Sequence, residues 1–317
     1  MNALNPKITV LMAVYNDAEY LKYSVRSILN QTFKDFEFLI IDDGSTDNPE
    51  EVLNSFKDSR INYKKIKHKG LAGALNFGLS VSSGDWIARI DADDVNTKSR
   101  LSKQIEAIRM SPETDVISSW SVYFSNRNKI KFFIKTPEDD KSIKRFLDLH
   151  NPVNHSSVIF KKKHIVIEGG YNENFRCYED FELWFRLREK LTFKILPSYL
   201  VYTRLRDDSL TKIEDKQNIY NMLIENAELN YGKIEDKAVK DYWRNILFWT
   251  EYFYGEKDKS RKYMTSDFTF KKTLAFLNTY MPDKAFNNIT GLRLRYRLQS
   301  KIMNQKKYKE ELEELIR

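Results

Sequence analysis

Cysteine is almost absent from this 317-residue sequence, in which Cys177 is the only one. A single cysteine excludes an internal disulfide and any zinc site built from cysteine thiolates. The composition is compatible with a reducing compartment, and we interpret Cys177 as a structural residue. Internal repeats and low-complexity linkers are absent as well. We therefore expect a chain that folds on its own as a globular protein.

Long apolar runs are also absent. No stretch approaches the ~18 consecutive apolar residues that a membrane span requires. The first ten residues, MNALNPKITV, lack a basic-then-apolar leader. These two absences lead us to expect a cytoplasmic protein. The length of 317 residues predicts one large domain with a smaller appendage.

Positive charge is in excess, with 53 Lys and Arg against 45 Asp and Glu and a formal net charge of +8. Segment 284–309 contains eight basic residues and no acidic one, interleaved with apolar side chains. This pattern fits peripheral contact with an anionic membrane, here the inner face of the cell membrane. It fits equally well a solvated basic face that packs on the body through its apolar side. A nucleic-acid partner has only the net charge in its favour and is not expected.

The first half of the sequence alternates apolar strand-like runs with helical patterns. Strands are predicted at ITVLMAV, FEFLIID, INYKKIK, WIARID and DVISSWSVYF. Helices are predicted at about 18–30, 49–56, 71–81 and 98–110, the last with Thr97 as its N-cap. The alternation predicts an α/β fold with a mostly parallel sheet covered on both faces. Beyond Thr211 the sequence predicts aromatic-rich helices, which we assign to a C-terminal appendage.

Carboxylates follow two of the predicted strands, where ligands bind in open α/β sheets. Asp42 and Asp43 end one apolar run, and Asp91, Asp93 and Asp94 end another. Clustered carboxylate oxygens suit Mg²⁺ or Mn²⁺, which also bridge phosphate oxygens. On spacing alone, helix capping and an Asx turn explain these residues equally well or better.

Five segments in this order carry a resemblance to a known family: PKITVLMAVYNDAEYLKYSVRSILNQTFKDFEFLIIDDGSTD, GLAGALNFGL, WIARIDADD followed by SRLSKQ, EGGYNENF, and YEDFELWFRLR. Together they resemble the family 2 inverting glycosyltransferases of the bacterial glycan-synthesis type. The resemblance implies the GT-A fold, a Rossmann-like mixed sheet flanked by helices, with a nucleoside-diphosphate sugar donor and a divalent cation, Mn²⁺ or Mg²⁺. It implies a catalytic domain over 1–211, with a nucleotide-sugar half of about 1–125 and an acceptor half of about 126–211. A helical, basic region over 212–317 follows.

The resemblance also implies roles on the donor side. Tyr15 stacks near uracil, Asp43 accepts a hydrogen bond from the base, and the backbone around Ala13 lines the pocket. Asp91 faces ribose and diphosphate and stands beside the metal. Asp93 matches the family position that binds the metal, which neutralises the departing diphosphate.

On the acceptor side, the Glu179-Asp180 pair matches the acidic pair that opens a helix in the family, and Asp180 is our choice as catalytic base. A single displacement needs a carboxylate that takes the proton of the attacking hydroxyl. Gly170 resembles the turn that shapes the acceptor cleft, with tight turn packing as the alternative. Trp184 is placed at the edge of the acceptor site or in the buried face of its helix. His155 stands where relatives often carry histidine.

One departure from the family pattern concerns Arg206, which occupies the place of a histidine in an Arg-x-His segment. An arginine cannot ligate a cation, but it can clamp phosphate with two hydrogen bonds. We therefore expect Arg206 to bind the donor and the dependence on metal to be weaker than usual.

The sequence thus predicts an inverting glycosyltransferase that moves a hexose of the glucose or galactose type from a UDP-sugar to a hydroxyl of a glycan or lipid-linked glycan. The alternatives are a non-catalytic nucleotide-sugar or glycan-binding protein and a nucleotidyltransferase on a similar fold. A nucleotidyltransferase is disfavoured because the first turn, VYNDAEY, is not a glycine-rich phosphate loop.

Overall fold

The computed structural model describes residues 7–125, 129–206, 217–233, 235–264, 270–280, 299–300 and 305–316. The strands are β1 Ile8–Val14, β2 Phe36–Asp42, β3 Ile61–Lys65, β4 Trp86–Asp91, β5 Val95–Asn96, β6 Val116–Ser125, β7 Ile130–Ile134, β8 Ile159–Lys161, β9 Phe193–Leu205 and β10 Gln299–Ser300. The α-helices are α1 Ala18–Leu29, α2 Pro49–Asn54, α3 Gly70–Val81, α4 Arg100–Met110, α5 Asp140–Leu147, α6 Lys162–Ile167, α7 Glu179–Leu187, α8 Gln217–Lys233, α9 Lys237–Phe253, α10 Lys257–Ser260, α11 Phe270–Asn278 and α12 Gln305–Ile316. Two 3-10 helices lie at His155–Ser157 and Arg261–Tyr263.

Within these ranges the strands form one mixed ten-stranded sheet, in the order β10-β7-β6-β8-β4-β1-β2-β3, with β9 joining β6 to β5. Strands β3, β2, β1 and β4 are parallel to one another. Strand β8 is antiparallel to both β4 and β6 and connects the nucleotide side of the sheet to the rest. The predicted α/β class, with its mixed sheet flanked by helices, is confirmed.

The sheet is buried on both faces because helices cover each of them. On one face Leu11 packs in a cluster with residues of α3 and α7, including Leu75 and Leu183. On the other face Met12 packs with residues of α1 and α4, such as Val25. Strand β1 is apolar at every position except Thr9, as expected for a central strand with two covered faces.

The helix that follows β5 begins later than the sequence predicts. Helix α4 starts at Arg100 with Ser99 at its N-cap, so the prediction that Thr97 caps it is wrong. The Thr97 backbone bonds instead to Leu200 on β9 and to Arg100. The pairing of β5 with β9 takes this segment out of the helix and ties the two strands together.

The C-terminal region is helical, as predicted, but part of it returns to the catalytic sheet. Helices α8, α9 and α11 share their own apolar cluster, which contains Phe248 and Tyr252. Helix α12 packs Leu312 and Leu315 against β5, β6, β7 and β9. The domain boundary at 211 lies outside the described residues and stays a prediction.

Candidate functional site

The site lies at the carboxyl edge of the parallel strands, where the strand order reverses. The chain runs from β1 outward to β2 and β3 and then returns to β4 on the other side of β1. The register places Ala13 opposite Asp91 of β4 and Val14 opposite Asp42 of β2. Ala13 therefore stands between the two carboxylate clusters, at the crevice where such sheets bind ligands.

Two aromatic rings face each other at the nucleotide end of this crevice. Tyr15 is 46% exposed and stacks on the ring of His68, with centroids 4.3 Å apart and an interplanar angle of 28°. The Nδ1 atom of His68 lies 2.8 Å from Oδ2 of Asp43. The sequence analysis did not single out His68, because a lone histidine in a loop carries no pattern.

Asp43 does not present a free carboxylate to this pocket. Its side chain is 3% exposed, and its two oxygens accept hydrogen bonds from the backbone N–H groups of Lys69 and Gly70 at 2.7 and 2.8 Å. It thus holds the N-terminus of α3, which is a favourable place for a negative charge. Asp43 also fixes His68, and its predicted contact with a nucleobase stays a prediction. Asp42 makes the Asx turn, accepting from Ser45 N at 2.7 Å.

Asp91 ends β4 and forms an ion pair with Arg89 on the same strand. It also accepts a hydrogen bond from Ser156 Oγ at 3.1 Å, while its backbone N–H donates to the same hydroxyl at 2.8 Å. The positive charge of Arg89 helps hold the pKa of Asp91 below its usual value against the opposing effect of burial. Asp91 is therefore an anchored carboxylate whose side chain remains 37% exposed.

Asp93 lies close to Asp91, in a region of negative charge. Burial, followed by the charges of Asp91 and Asp17, raises the pKa of Asp93 to about 7. Such a carboxylate gains its charge most readily when a cation approaches. Carboxylate oxygens are the ligands that Mn²⁺ and Mg²⁺ prefer, so Asp93 with Asp91 could hold such an ion.

Arg206 stands against this acidic set from the end of β9. Its guanidinium contacts Asp17 and lies 3.7 Å from Oδ2 of Asp93. The preceding Arg204 donates its backbone N–H to Asp94 at 2.7 Å and its Nε to the Asp93 carbonyl oxygen at 3.0 Å. Asp94 therefore fastens β9 to the turn after β4 and does not cap a helix.

The predicted base, Asp180, lies in the first turn of α7. Its Oδ2 accepts from Asn151 Nδ2 at 2.8 Å, and its Oδ1 accepts from the N–H of Phe181 at 2.8 Å. Burial and the neighbouring Glu179 raise the pKa of Asp180 to about 6, against the lowering effects of His155 and Arg89. A carboxylate with this pKa is ionised at neutral pH and basic enough to accept a proton.

His155 is buried beside Asp180 and contacts Tyr171 and the start of α7. Its Nε2 lies 2.9 Å from the hydroxyl of Tyr171, and its Nδ1 lies 3.4 Å from Oε1 of Glu179. Burial, together with the charge of Arg89, lowers the pKa of His155 to about 4. The imidazole is thus neutral at physiological pH and serves as a hydrogen-bonding link. Glu179 is 5% exposed and faces this link.

His155, Glu179 and Asp180 offer ligand atoms within 4.8 Å of one another, a spacing that can hold a metal ion. Arg89 already interacts with Glu179 and Asp180, so this cluster has a cation of its own. On the other side of the site, Arg89 pairs with Asp91, and Arg204 and Arg206 both act on Asp93. Each group of carboxylates thus has an arginine beside it.

Two predicted acceptor residues are placed elsewhere by the structure. Trp184 is fully buried and packs edge-on against Phe160 and Phe193, so it follows the alternative that places it in the buried face of its helix. Gly170 is buried, with a φ of +73°, and a Cβ there would lie 2.5 Å from Oδ1 of Asn76. Asn76 holds this turn by accepting from Tyr171 N and donating to Tyr171 O. Gly170 thus follows the turn-packing alternative.

The sequence analysis missed Arg89 and Asp17 and assigned no chemistry to Asn151. A signal existed for Arg89, because a charge inside the apolar strand WIARID has to be paired when it is buried. Arg100 is buried and donates to the carbonyl oxygens of Arg89 and Val158 at 2.7 and 3.0 Å. It has a structural role.

The proposed membrane segment 284–309 falls largely outside the described residues, which resume at 299–300 and 305–316. None of the helices in the described ranges combines the length and the apolar character that crossing a bilayer requires.

Solved structures share this fold. S. aureus TarS 1–349 in complex with UDP-GlcNAc matches with a TM-score of 0.61 and 16% identity over 86% of this chain and 79% of its own. The mannosyltransferase PcManGT from Pyrobaculum calidifontis, in complex with GDP-Man and Mn²⁺, matches with a TM-score of 0.58 and 13% identity over 91% and 85%. The predicted GT-A fold is confirmed.

Sequence relatives extend the agreement. An uncharacterized glycosyltransferase of Methanocaldococcus jannaschii is 32% identical over 260 residues, which is 79% of this chain and 86% of the relative. The UDP-Gal:alpha-D-GlcNAc-diphosphoundecaprenol beta-1,3-galactosyltransferase of Escherichia coli is 34% identical over 189 residues, 57% of this chain and 67% of the relative. Residues 9–167 match the glycosyl transferase family 2. The chain therefore belongs to glycosyl transferase family 2.

Proposed function

We propose that this glycosyltransferase is an inverting, UDP-sugar-dependent hexosyltransferase that acts on a hydroxyl of a glycan or lipid-linked glycan. The observation that carries the proposal is the pair of carboxylate sites joined by one short element. Asp91 and Asp93 end β4, Asp180 opens α7, and the 3-10 helix His155–Ser157 contacts both sides. A protein that only binds a sugar nucleotide has no need for a carboxylate with a pKa of about 6 at the second site.

In the proposed reaction, the acceptor oxygen attacks the anomeric carbon while Asp180 takes up the hydroxyl proton. The new C–O bond forms on the face opposite the departing diphosphate, and the bond from the anomeric carbon to the diphosphate oxygen breaks with both electrons. The configuration is inverted because there is a single displacement. Asn151 orients the carboxylate by its hydrogen bond to Oδ2.

On the donor side, the base lies between Tyr15 and His68, the ribose and diphosphate lie near Ala13 and Asp91, and Arg206 clamps phosphate. Asp93, with Asp91, holds Mn²⁺ or Mg²⁺, which when bound neutralises charge on the leaving diphosphate. Before metal and donor bind, the guanidinium of Arg206, which lies 3.7 Å from Asp93, partly balances the negative charge of that carboxylate.

The donor and acceptor classes draw support from the names of relatives. The E. coli relative is named for UDP-Gal and a diphosphoundecaprenol acceptor, and another E. coli relative, 27% identical, is an O-antigen biosynthesis glycosyltransferase. TarS was solved with UDP-GlcNAc, whereas PcManGT was solved with GDP-Man. We favour a UDP-hexose and a role in polysaccharide biosynthesis on the strength of the E. coli pair.

A lipid-linked acceptor would place the reaction at the inner face of the cell membrane. The basic segment 284–309 supports peripheral contact with anionic lipid there. Sedimentation with anionic vesicles, with and without residues from 284 onward, tests this contact. Equal binding of the two proteins would eliminate the segment as the membrane contact.

The first test of the function is calorimetric titration with a panel of UDP-sugars and GDP-sugars in Mn²⁺, Mg²⁺ or chelator. We expect one UDP-hexose to bind tightly and with metal dependence, and Asp93→Ala to weaken that dependence. Preference for a GDP-sugar would overturn the donor assignment. Failure of every donor to bind would favour the non-catalytic alternative.

A further inference from the structure

Arg89 is a buried cation in the centre of the sheet. It is 1% exposed and stands in β4 between Ala88 and Ile90, both of which are fully buried. Removing a guanidinium from water is costly unless opposite charges and hydrogen-bond acceptors surround it. The burial of Arg89 is therefore tolerated because of the charged and polar groups that surround it.

The groups around Arg89 belong to both halves of the site. It pairs with Asp91 at the end of its own strand. It also interacts electrostatically with Tyr171 and with Glu179 and Asp180 of α7. Its Nε is buried and has no hydrogen-bond partner among the described residues, so this guanidinium is not fully committed to Asp91.

The 3-10 helix His155–Ser157 reinforces this connection with two consecutive side chains. Ser156 bonds to both the backbone and the carboxylate of Asp91, and His155 reaches Glu179 and Tyr171. The backbone N–H of Arg89 donates to Val158 O at 2.9 Å, immediately after this 3-10 helix. Arg89, Asp91 and the first turn of α7 thus share one buried framework.

We infer that Arg89 is a positioning residue shared by the donor carboxylate Asp91 and the base Asp180, so that one buried cation supports both sides of the transfer reaction. This inference rests on the proposed function for the role of Asp180. Without Arg89, three carboxylates would share this framework with only a neutral histidine between them.

The effect of Arg89 on the pKa of Asp180 depends on the other charged groups around Asp180. The titratable and charged groups that interact with Asp180 are His155 from the 3-10 helix, Glu179 from α7, Arg89 from β4, Tyr171 and Tyr178 from the preceding turn, and Tyr123 from β6. Arg89 is the only permanent cation among them. Its removal should therefore make protonation of Asp180 easier.

The test uses the full chain with Arg89→Met and Arg89→Lys. Arg89→Gln, which removes the charge but keeps hydrogen-bonding groups, replaces Arg89→Met if that variant fails to fold. For Arg89→Met we expect donor affinity to fall about tenfold and the acid limb of kcat at saturating donor to move up by about one pH unit. Arg89→Lys keeps the charge and should leave the acid limb in place.

A second readout does not depend on turnover. NMR titration of the His155 imidazole, assigned with His155→Asn, should show its pKa rising from about 4 in Arg89→Met, because a like charge is removed, and staying low in Arg89→Lys. A folded Arg89→Met protein with an unchanged acid limb and an unchanged His155 titration would overturn the inference. If the wild type transfers no sugar while His155 responds as expected, the proposed function fails but the electrostatic link stands.

Discussion

The Nη1 atom of Arg206 lies 3.7 Å from the Oδ2 atom of Asp93, so the end of β9 places a cation against the carboxylate proposed to bind metal. The same guanidinium contacts Asp17 at the start of α1. Two carboxylates thus compete for one arginine. In the proposed donor complex, the diphosphate has to draw Arg206 away from Asp17.

Removing the competitor should strengthen donor binding. Asp17→Ala removes one ion-pair partner of Arg206, and the Asp17 side chain caps no backbone N–H of α1, so the helix loses no capping bond. We expect donor affinity to rise by about 1 kcal/mol, roughly fivefold, in calorimetry. Glu19→Ala, an exposed change one turn into the same helix, is the matched control. Weaker donor binding in Asp17→Ala would mean that Asp17 itself contacts the metal or the donor.

Replacement of the base should separate chemistry from donor binding. Asp180→Asn should lower transfer at least about 100-fold, because amide oxygen is a poor proton acceptor, with the donor dissociation constant unchanged. Glu189→Gln, on the exposed side beyond α7, serves as the control. Normal turnover in Asp180→Asn would assign the base elsewhere.

The wild-type rate should follow the ionisation of Asp180. Its pKa of about 6 lies above the usual value, so the carboxylate is ionised above about pH 6 and becomes protonated below it. We expect kcat to fall about tenfold per pH unit below that point. An acid limb that persists unchanged in an active Asp180 variant would contradict this assignment.

The stacked rings of Tyr15 and His68 should contribute to binding of the donor nucleobase. A nucleobase has to part Tyr15 and His68 and stack between them, so Tyr15→Ala and His68→Ala should each weaken donor binding by about 1–3 kcal/mol. His164→Ala is the control, because His164 pairs with Asp115 on another part of the sheet. Equal affinities of all three variants for UDP alone would exclude stacking at this pair.

Adjacent glycines allow a stability test of the acceptor turn. Gly170→Ala should destabilise by about 3 kcal/mol, because it combines a φ of +73° with a clash against Asn76. Gly169→Ala also has a positive φ, +89°, but its Cβ enters open space, so we expect a loss of about 1 kcal/mol. Thermal unfolding measures both, and equal losses would show that Asn76 moves aside.

The features predicted well from sequence are those that depend on local pattern. Strand-like runs ending in Asp42 and Asp91 placed both carboxylate clusters at one edge, because parallel strands share their direction. The helix starting at Glu179 was expected from the family resemblance. The local sequence could not show whether the face containing Trp184 is covered, since its burial depends on β8 and β9, which lie elsewhere in the chain.

The features that the sequence did not reveal depend on contacts between distant residues. The bonds from Asp43 to the N–H groups at the start of α3 are an example, because that helix begins 27 positions later in the chain. The pairing of Asp17 with Arg206 joins residues 189 positions apart. No spacing rule along the chain connects two such residues.

The antiparallel strand β8, paired with both β4 and β6, makes the donor half and the acceptor half a single continuous sheet. Chimeras that exchange whole halves between relatives would have to re-form these main-chain hydrogen bonds between strands of different proteins, so we expect them to fold poorly. New specificities in this lineage are therefore expected to arise by remodelling of loops at the rim of an inherited scaffold.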